Sequence, residues 1–326
     1  MNDPIKAQFT ILGMEGSGKT CYLLGAYNEL TAGVEDFSFY TDRHTNVKLR
    51  TAFETLKNNN LSIKRFPLRT SILETYLFSM MYAYDLIIEF SWIDYPGGLL
   101  TKKEGNDENR YENLTEHILN SQVLFICLDG DLFIDRKNNH DMVNLIKYEC
   151  SSVINTFFGY YSRANKYLPP IAILITKSDL CNKKFTTSDY EFIITKSFAP
   201  LFALVNNNAM NHFVSVIPVS LGNEISMNNY TGTFSPLNVE TPIFMATWFT
   251  LKSSLHDIEK EQIKLSSNIS TAERENFIKK INFSLEKLIR TLNRNIKLVY
   301  FNGNKYLYFQ DAAEKYIERR INTNES

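Results

Sequence analysis

Short apolar runs recur along this chain, each followed by turn residues and then by a stretch with helical spacing. Val123–Leu128, Ile171–Ile175 and Phe213–Val219 are almost wholly apolar, and Gln8–Leu12 is largely so. Runs of this length between turn residues predict strands buried on both faces, as in parallel sheets. Leu86–Ile93 reads the same way, while Ser71–Phe78 alternates in part and suits a sheet margin. Helical patterns lie between them, over Thr20–Leu30, Glu112–Asn120, Asp141–Tyr161 and Tyr190–Val205. This alternation predicts an α/β fold with a mostly parallel, doubly wound sheet. Two stretches show no clear period. Glu35–Arg69 is polar and mixed, and Gly222–Thr241 is rich in Asn, Ser, Thr and Gly. Both are expected to run over the surface as loops.

Beyond about residue 252 the pattern changes. Ile278, Ile281, Leu285, Leu288 and Leu292 recur three and four apart, a helix seam. Ser270-Thr271-Ala272-Glu273 has the form of a capping box at its start. Two alternating runs follow, Leu298–Phe301 and Lys305–Phe309, joined around Asn302-Gly303, a pair that tolerates the positive φ of a tight hairpin turn. Asp311 is placed as the cap of a last helix ending near Ile321. The expected organisation is a domain over 1–252 and an extension over 253–326, a helical hairpin with a ββα unit. Its apolar faces need a cover, and a partner is favoured over a purely structural role.

Composition narrows the function classes. The formal net charge is -1 over 326 residues, without the basic footprint of a nucleic-acid binder. No apolar stretch approaches the roughly 20 residues that span a bilayer, and the N-terminus does not read as a signal peptide. Cys21, Cys127, Cys150 and Cys181 are far apart and form no close pair. They read as reduced thiols, so the expected location is the cytoplasm, away from membranes and nucleic acid. The five histidines are scattered and read as surface or packing residues.

The strongest chemical signal is Gly13-Met14-Glu15-Gly16-Ser17-Gly18-Lys19-Thr20, which fills every fixed position of a phosphate-binding loop between a strand and a helix. Glycines let backbone N–H groups turn inward, and the helix N-terminus adds partial positive charge. Lys19 reaches the outer phosphates, and the Thr20 hydroxyl suits magnesium. The bland alternative, an ordinary Gly-rich turn, leaves the Lys-Thr pair and the strand–loop–helix context unexplained.

Three weaker signals follow, each closing an expected strand. Asp94-Tyr95-Pro96-Gly97 ends Leu86–Ile93. A carboxylate there can hold magnesium through water, and Gly97 can offer its N–H to a γ-phosphate; alone, the motif is a common turn. Thr176-Lys177-Ser178-Asp179 follows Ile171–Ile175. Asp179 can accept from the N1–H and exocyclic amine of guanine, donors that adenine lacks on that edge. The stem of Lys177 can pack along the base. Ser220-Leu221-Gly222 follows Phe213–Val219, and its backbone can reach the guanine oxygen.

In order and placement these four motifs resemble the set of Ras-like GTPases of the translation-factor class, over roughly residues 7–255. Two further features resemble a bacterial double-GTPase group found near conflict and defence genes: Phe66-Pro67-Leu68-Arg69-Thr70, and Pro236-Leu237-Asn238-Val239 before a helix at Pro242. The resemblance implies a P-loop G domain binding GTP or GDP with Mg2+. It implies phosphate contacts from Gly13, Glu15, Gly16, Ser17, Gly18, Lys19, Thr20 and Cys21. Base contacts would come from Thr176, Lys177, Asp179, Ser220 and Leu221. Thr20, Asp94 and a switch threonine would serve the metal, with Lys19, the switch threonine and Gly97 acting on the transferred phosphate. Thr70 is the carried-over switch threonine, with Thr41 and Thr45 as rivals.

The departures from that class bear on rate. Gly98 stands where a water-orienting glutamine is frequent, and Glu15 puts a carboxylate in the phosphate loop. Thr176 replaces the usual Asn of the base motif. The implication is a GTP-regulated switch with slow hydrolysis, engaging a protein through its switch loops or its tail. The competing reading is a non-hydrolysing nucleotide module that recruits a partner. An ATP-using kinase is a third reading, against which Asp179 speaks.

Overall fold

In the computed structural model of this protein, successive side chains of one strand enter different cores. Val123, Phe125 and Cys127 point into one hydrophobic cluster; Leu124, Ile126 and Leu128 point into another. Ala172 and Leu174 alternate in the same way with Ile171, Ile173 and Ile175. Side chains alternate across a strand, so an unbroken apolar run demands cover on both faces of the sheet. The structure describes residues 4–58, 66–67, 73–97, 108–133, 138–148, 168–181, 186–203, 211–223, 233–259 and 271–324.

The strands are β1 (Ile5–Gly13), β2 (Phe37–Tyr40), β3 (Glu74–Tyr82), β4 (Asp85–Asp94), β5 (Val123–Asp129), β6 (Ile171–Thr176), β7 (Phe213–Pro218), β8 (Ser220–Asn223), β9 (Thr233–Leu237), β10 (Leu298–Phe301) and β11 (Asn304–Tyr306). The helices are α1 (Lys19–Ala32), α2 (Arg43–Lys57), α3 (Glu108–Asn120), α4 (Asn139–Ile146), α5 (Thr187–Ser197), α6 (Ala199–Ala203), α7 (Thr241–Glu259), α8 (Thr271–Asn295) and α9 (Phe309–Asn324). Nine strands form one sheet in the order β11-β10-β7-β6-β5-β1-β4-β3-β2, while β8 and β9 pair separately. From β7 to β4 the strands run parallel, and the pairs at both margins are antiparallel. Residues of α1, α2, α7, α8 and α9 fill one core, and residues of α3, α4, α5 and α6 fill the other. This is a doubly wound α/β architecture with a mostly parallel sheet. Among the described residues no helix is long and apolar enough to cross a membrane.

The sequence pattern misleads in three places. Glu35–Arg69, expected as a surface loop, contains β2 and α2. Phe37 and Phe39 alternate inward, and Leu49, Phe53 and Leu56 make a seam of four-and-three spacing beneath an otherwise polar helix. Burying each of those three side chains is worth roughly 1.5–3 kcal/mol, enough to outweigh the polar average. Asp42 caps the helix by accepting from Thr45 N at 3.0 Å. Gly222–Thr241, also expected as a loop, carries β9 and the end of β8, which pair antiparallel. The helix expected over Tyr190–Val205 breaks into α5 and α6, because Pro200 has no N–H to continue the ladder.

The tail joins the sheet. β10 pairs antiparallel with β7, Val299 opposite Ser215 and Phe301 opposite Phe213. Asn302 and Gly303 take φ of 47° and 72° in the turn to β11. Ile281, Leu285, Leu288 and Leu292 of α8 lie in the same core as Phe9 and Phe125. Surface ion pairs accompany this packing: Lys280–Asp85 at 2.8 Å, Lys287–Asp36 at 3.2 Å and Arg294–Glu35 at 2.7 Å. Exposed pairs are each worth only about 0–1 kcal/mol, so apolar burial holds the tail in place. Residue 252, the expected end of the first domain, lies inside α7. Asp311 sits in the first turn of α9, a little inside the expected cap, where a carboxylate still favours the helix dipole. Ser270 of the expected capping box falls outside the described residues.

Candidate functional site

β1, β4, β6 and β7 deliver their chemistry-bearing residues at the same, carboxyl edge of the sheet, the place where open α/β sheets bind ligands. β1 stops at Gly13. Gly16 and Gly18 then take φ of 80° and 83°, a left-handed backbone that favours glycine. A Cβ on Gly16 would meet open space, so that glycine answers to conformation alone. Gly18 also lies against Thr176, whose Oγ1 would be 3.3 Å from an added Cβ. No side chain caps α1, which begins at Lys19 without an acidic residue in its first turn. Its N-terminal dipole is thus left for a ligand.

Lys19 is buried and folds back across the loop, donating to the carbonyls of Gly13 at 2.8 Å and Met14 at 3.1 Å. Thr20 Oγ1 donates to Asp94 Oδ2 at 3.1 Å. Asp94 is 1% exposed, and its Oδ1 makes no hydrogen bond among the described residues; nor does the buried hydroxyl of Ser17. Burial pushes the Asp94 carboxyl up to about 6, against the pull of Lys19 and the Thr20 hydroxyl. A buried carboxylate oxygen without a partner, beside a hydroxyl, is a donor set that suits a hard divalent cation. Among the described residues no three His, Cys, Asp or Glu gather as a ready cage. A cation here would therefore depend on oxygens of its own ligand and on water.

Gly97 closes this end. A Cβ there would lie 2.3 Å from Glu15 N and 2.6 Å from Met14 C, so only glycine lets the Asp94–Gly97 turn press on the phosphate loop. The turn is also tied outward, because the buried Tyr95 hydroxyl bonds to His117 Nδ1 on α3. Glu15 is exposed. Cys21 follows Thr20 on α1, and burial pushes its thiol up to about 11, away from thiolate chemistry.

At the other end, Thr176 does what its sequence position does not reveal. Its hydroxyl lies 2.7 Å from the Ser17 carbonyl and 3.0 Å from the Leu128 carbonyl, and can donate to either. It thereby links the loop after β6 to the loop after β1 and to β5. Ser178–Leu180 form a short 3-10 turn that carries the partly exposed Asp179. Ser178 N donates to the Val219 carbonyl at 3.1 Å, so this loop is braced by the one that follows β7. There Ser220 is buried, and Leu221 inserts into a notch on α1 at Gly25, where a Cβ would come within 2.2 Å of its Cδ2. Asn238, with φ 55°, donates to the Pro218 carbonyl at 3.2 Å from the far side of β9.

Lys177 is anchored at its far end. Its ammonium meets Asp129 at 2.7 Å and Asp131 at 2.9 Å, the residues just past β5. Burial pulls its pKa down, but the two carboxylates outweigh burial and raise it. Asp129 and Asp131 thus hold a lysine of the candidate site. Gly130 between them has no conspicuous sequence signal; an added Cβ would strike the Thr176 carbonyl at 2.3 Å. Near Asp94 lies a second group without a sequence motif. Glu74 stands opposite it in register and bonds to Lys48 at 2.7 Å and to the Tyr76 hydroxyl.

The candidate residues within the described chain therefore all stand at or just past the carboxyl ends of β1, β4, β6 and β7, along one edge of the sheet. Thr70 and Gly98 lie outside the described residues. The rivals Thr41 and Thr45 stand at the start of α2: Thr41 Oγ1 donates to the Leu77 carbonyl at 2.6 Å, and Thr45 is held by the Asp42 cap.

No family model matches the chain, and no curated protein matches it. Among solved structures it is similar to a bacterial selenocysteine-specific elongation factor, EF-Sec, at 16% identity and a TM-score of 0.29, over 68% of this chain and 27% of that one. It is similar also to the S. cerevisiae Ski7 GTPase-like domain, solved with GDP and inorganic phosphate and again with GTP, at 16% identity and TM-scores of 0.34 and 0.32. These matches cover 67% of this chain and 43% of the Ski7 chains. TM-scores this low leave the fold to be read from the strand order itself.

Proposed function

We propose that this protein is a magnesium-dependent guanine-nucleotide switch that hydrolyses GTP slowly. The observation that carries the reading is the convergence, along one sheet edge, of a glycine-built loop with Lys19, an Asp94 oxygen without a partner beside Thr20, and the Asp179 turn. Lys19 exchanges its two loop carbonyls for β- and γ-phosphate oxygens, and the uncapped start of α1 faces the same charge. Thr20, Asp94 and Thr70 are the residues that would hold magnesium; when bound, it neutralises charge on the outer phosphates. Gly97 offers its N–H to the γ-phosphate, so the Asp94–Gly97 turn reads which nucleotide is present. Asp179 accepts from the guanine edge, with Ser220 and Leu221 closing on its oxygen. Glu15 and Gly98 set the slow rate, since neither orients the attacking water. A protein partner would read the switch loops or the tail, and the motif resemblance extends the proposal to a prokaryotic defence or signalling setting.

The deciding experiment compares fluorescent GDP with ADP, with and without magnesium, and then follows phosphate release in a single turnover. GDP should bind far more tightly than ADP, and Asp179→Asn should shift preference toward xanthosine diphosphate. Phosphate release is expected well below one per second. Equal competition by ADP sinks the guanine assignment. Tight GTP binding without phosphate release would leave the non-hydrolysing module as the correct reading.

A further inference from the structure

We infer that the Asp129-Gly130-Asp131 turn is a positioning device that fixes Lys177 as a preset wall for the nucleotide base, and so governs how long nucleotide stays bound. The inference rests on the proposed guanine-nucleotide reading and deepens it.

Lys177 leaves β6 with φ 49°, a left-handed backbone that a non-glycine residue avoids unless its surroundings hold it there. The surroundings are on hand. Asp129 stands opposite Thr176 in the β5–β6 register, so the turn after β5 lies alongside the loop after β6. Gly130 presses backbone to backbone on that loop: a Cβ would fall 2.3 Å from the Thr176 carbonyl and 2.6 Å from the Lys177 carbonyl. The turn is ordered in itself, since Asp131 N donates to Asp129 Oδ1 at 2.9 Å. The two carboxylates then grip one ammonium from two sides, at 2.7 and 2.9 Å. The Lys177 side chain is only 22% exposed and Asp129 23% exposed, so solvent screens this pair less than an open surface pair.

Two consequences follow. Held at its Cα and at its ammonium, the four-carbon stem has given up its rotamer freedom before any ligand arrives, so a base that packs on it orders nothing further. The two carboxylates also more than offset the charge of Lys177, which keeps it from drawing the phosphates away from Lys19. Packing on methylenes takes no account of the base's polar edge, whereas Asp179 reads that edge. The clamp therefore acts on affinity, and Asp179 acts on discrimination.

The test is a cycle of variants: Asp129→Asn with Asp131→Asn, Lys177→Met, and all three together. Dissociation rates of fluorescent GDP and inosine diphosphate are measured for each by stopped flow. The double variant should speed release of both nucleotides by the same factor, roughly 10-fold. Lys177→Met should do the same, and the triple variant should be no worse than Lys177→Met alone. Unchanged release rates, additive effects in the triple variant, or a change in the GDP-to-inosine ratio would each overturn the inference. So would loss of folding without nucleotide, read by circular dichroism, because the turn would then be a stability element. If the wild type binds neither nucleotide, the guanine reading itself has failed, an outcome separate from a wild type that binds and variants that do not differ.

Discussion

At the end of the site proposed for phosphate, Asp94 and Ser17 keep buried oxygens that no described protein group meets. At the end proposed for the base, Thr176, Lys177 and Ser178 are each tied to a neighbouring element, through Ser17 and Leu128, Asp129 and Asp131, and Val219. The difference follows from what each end would receive. Phosphates and a cation bring strong charges, which an unmet oxygen, or a lysine held by exchangeable loop carbonyls, can answer. An unmet buried carboxylate costs stability, which shows as the upward push on Asp94. A flat base brings shape and a few hydrogen bonds, so its wall can be completed in advance.

Removing residues 253–326 tests the base end most severely. That cut divides α7 and strips β10 from β7, the strand that leads into Ser220 at the start of β8. The shortened protein is expected to aggregate or to lose nucleotide altogether, as read by size-exclusion chromatography and GDP binding. A soluble fragment with unchanged affinity would show that the tail is separable.

Lys19→Ala strikes only the phosphate end. Nucleotide affinity should fall by about 100-fold or more, the scale of a charge-assisted phosphate contact made from several hydrogen bonds. The melting temperature without nucleotide should move by no more than a few degrees, because the lysine donates to main-chain carbonyls of its own loop, those of Gly13 and Met14, and belongs to neither hydrophobic core. A large fall would mean that the lysine belongs to the core.

Asp94→Asn should separate function from stability. Metal-dependent affinity is lost, yet the metal-free protein gains about 3 kcal/mol near neutral pH, the worth of the upward shift from 3.8 to about 6. The sign is fixed by protons: the folded state keeps the Asp94 proton to higher pH than the unfolded state. The cost of the wild-type carboxylate is therefore absent below about pH 4, grows as pH rises to about 6, and is constant above it. Urea unfolding of both proteins across that range checks it, and a gap that shrinks with rising pH would refute it.

Thr176→Val is the mildest change and joins the two ends. It removes the hydroxyl between the Ser17 and Leu128 carbonyls, at a cost of about 1 kcal/mol in stability. GDP should leave a few times faster, since the phosphate loop and the base loop lose their shared contact. An unchanged release rate would show that the two ends act independently.

Much of this molecule is legible from its sequence because the determinants are local. Apolar runs such as Val123–Leu128 and Ile171–Ile175 demand two-sided burial wherever they lie, so the parallel centre of the sheet follows from them. Gly16, Gly18, Lys19 and Thr20 act through backbone conformation and adjacency on a strand–loop–helix unit, and spacing alone records that. Asn302-Gly303 likewise announces its own turn.

Tertiary structure decides whatever depends on a neighbour distant in sequence. α2 looks polar because only Leu49, Phe53 and Leu56 face inward, and their value appears only once a core receives them. The tail's seam reads as a surface seeking a partner until β10 is found beside β7 and α8 over the shared core. Asp129, Gly130 and Asp131 carry no motif, yet they stand beside Lys177 because β5 and β6 are in register across 47 residues of chain, Asp129 opposite Thr176. Spacing records what the backbone does within a few residues; which carboxylate meets which ammonium is fixed by strand order, and strand order is a property of the whole sheet.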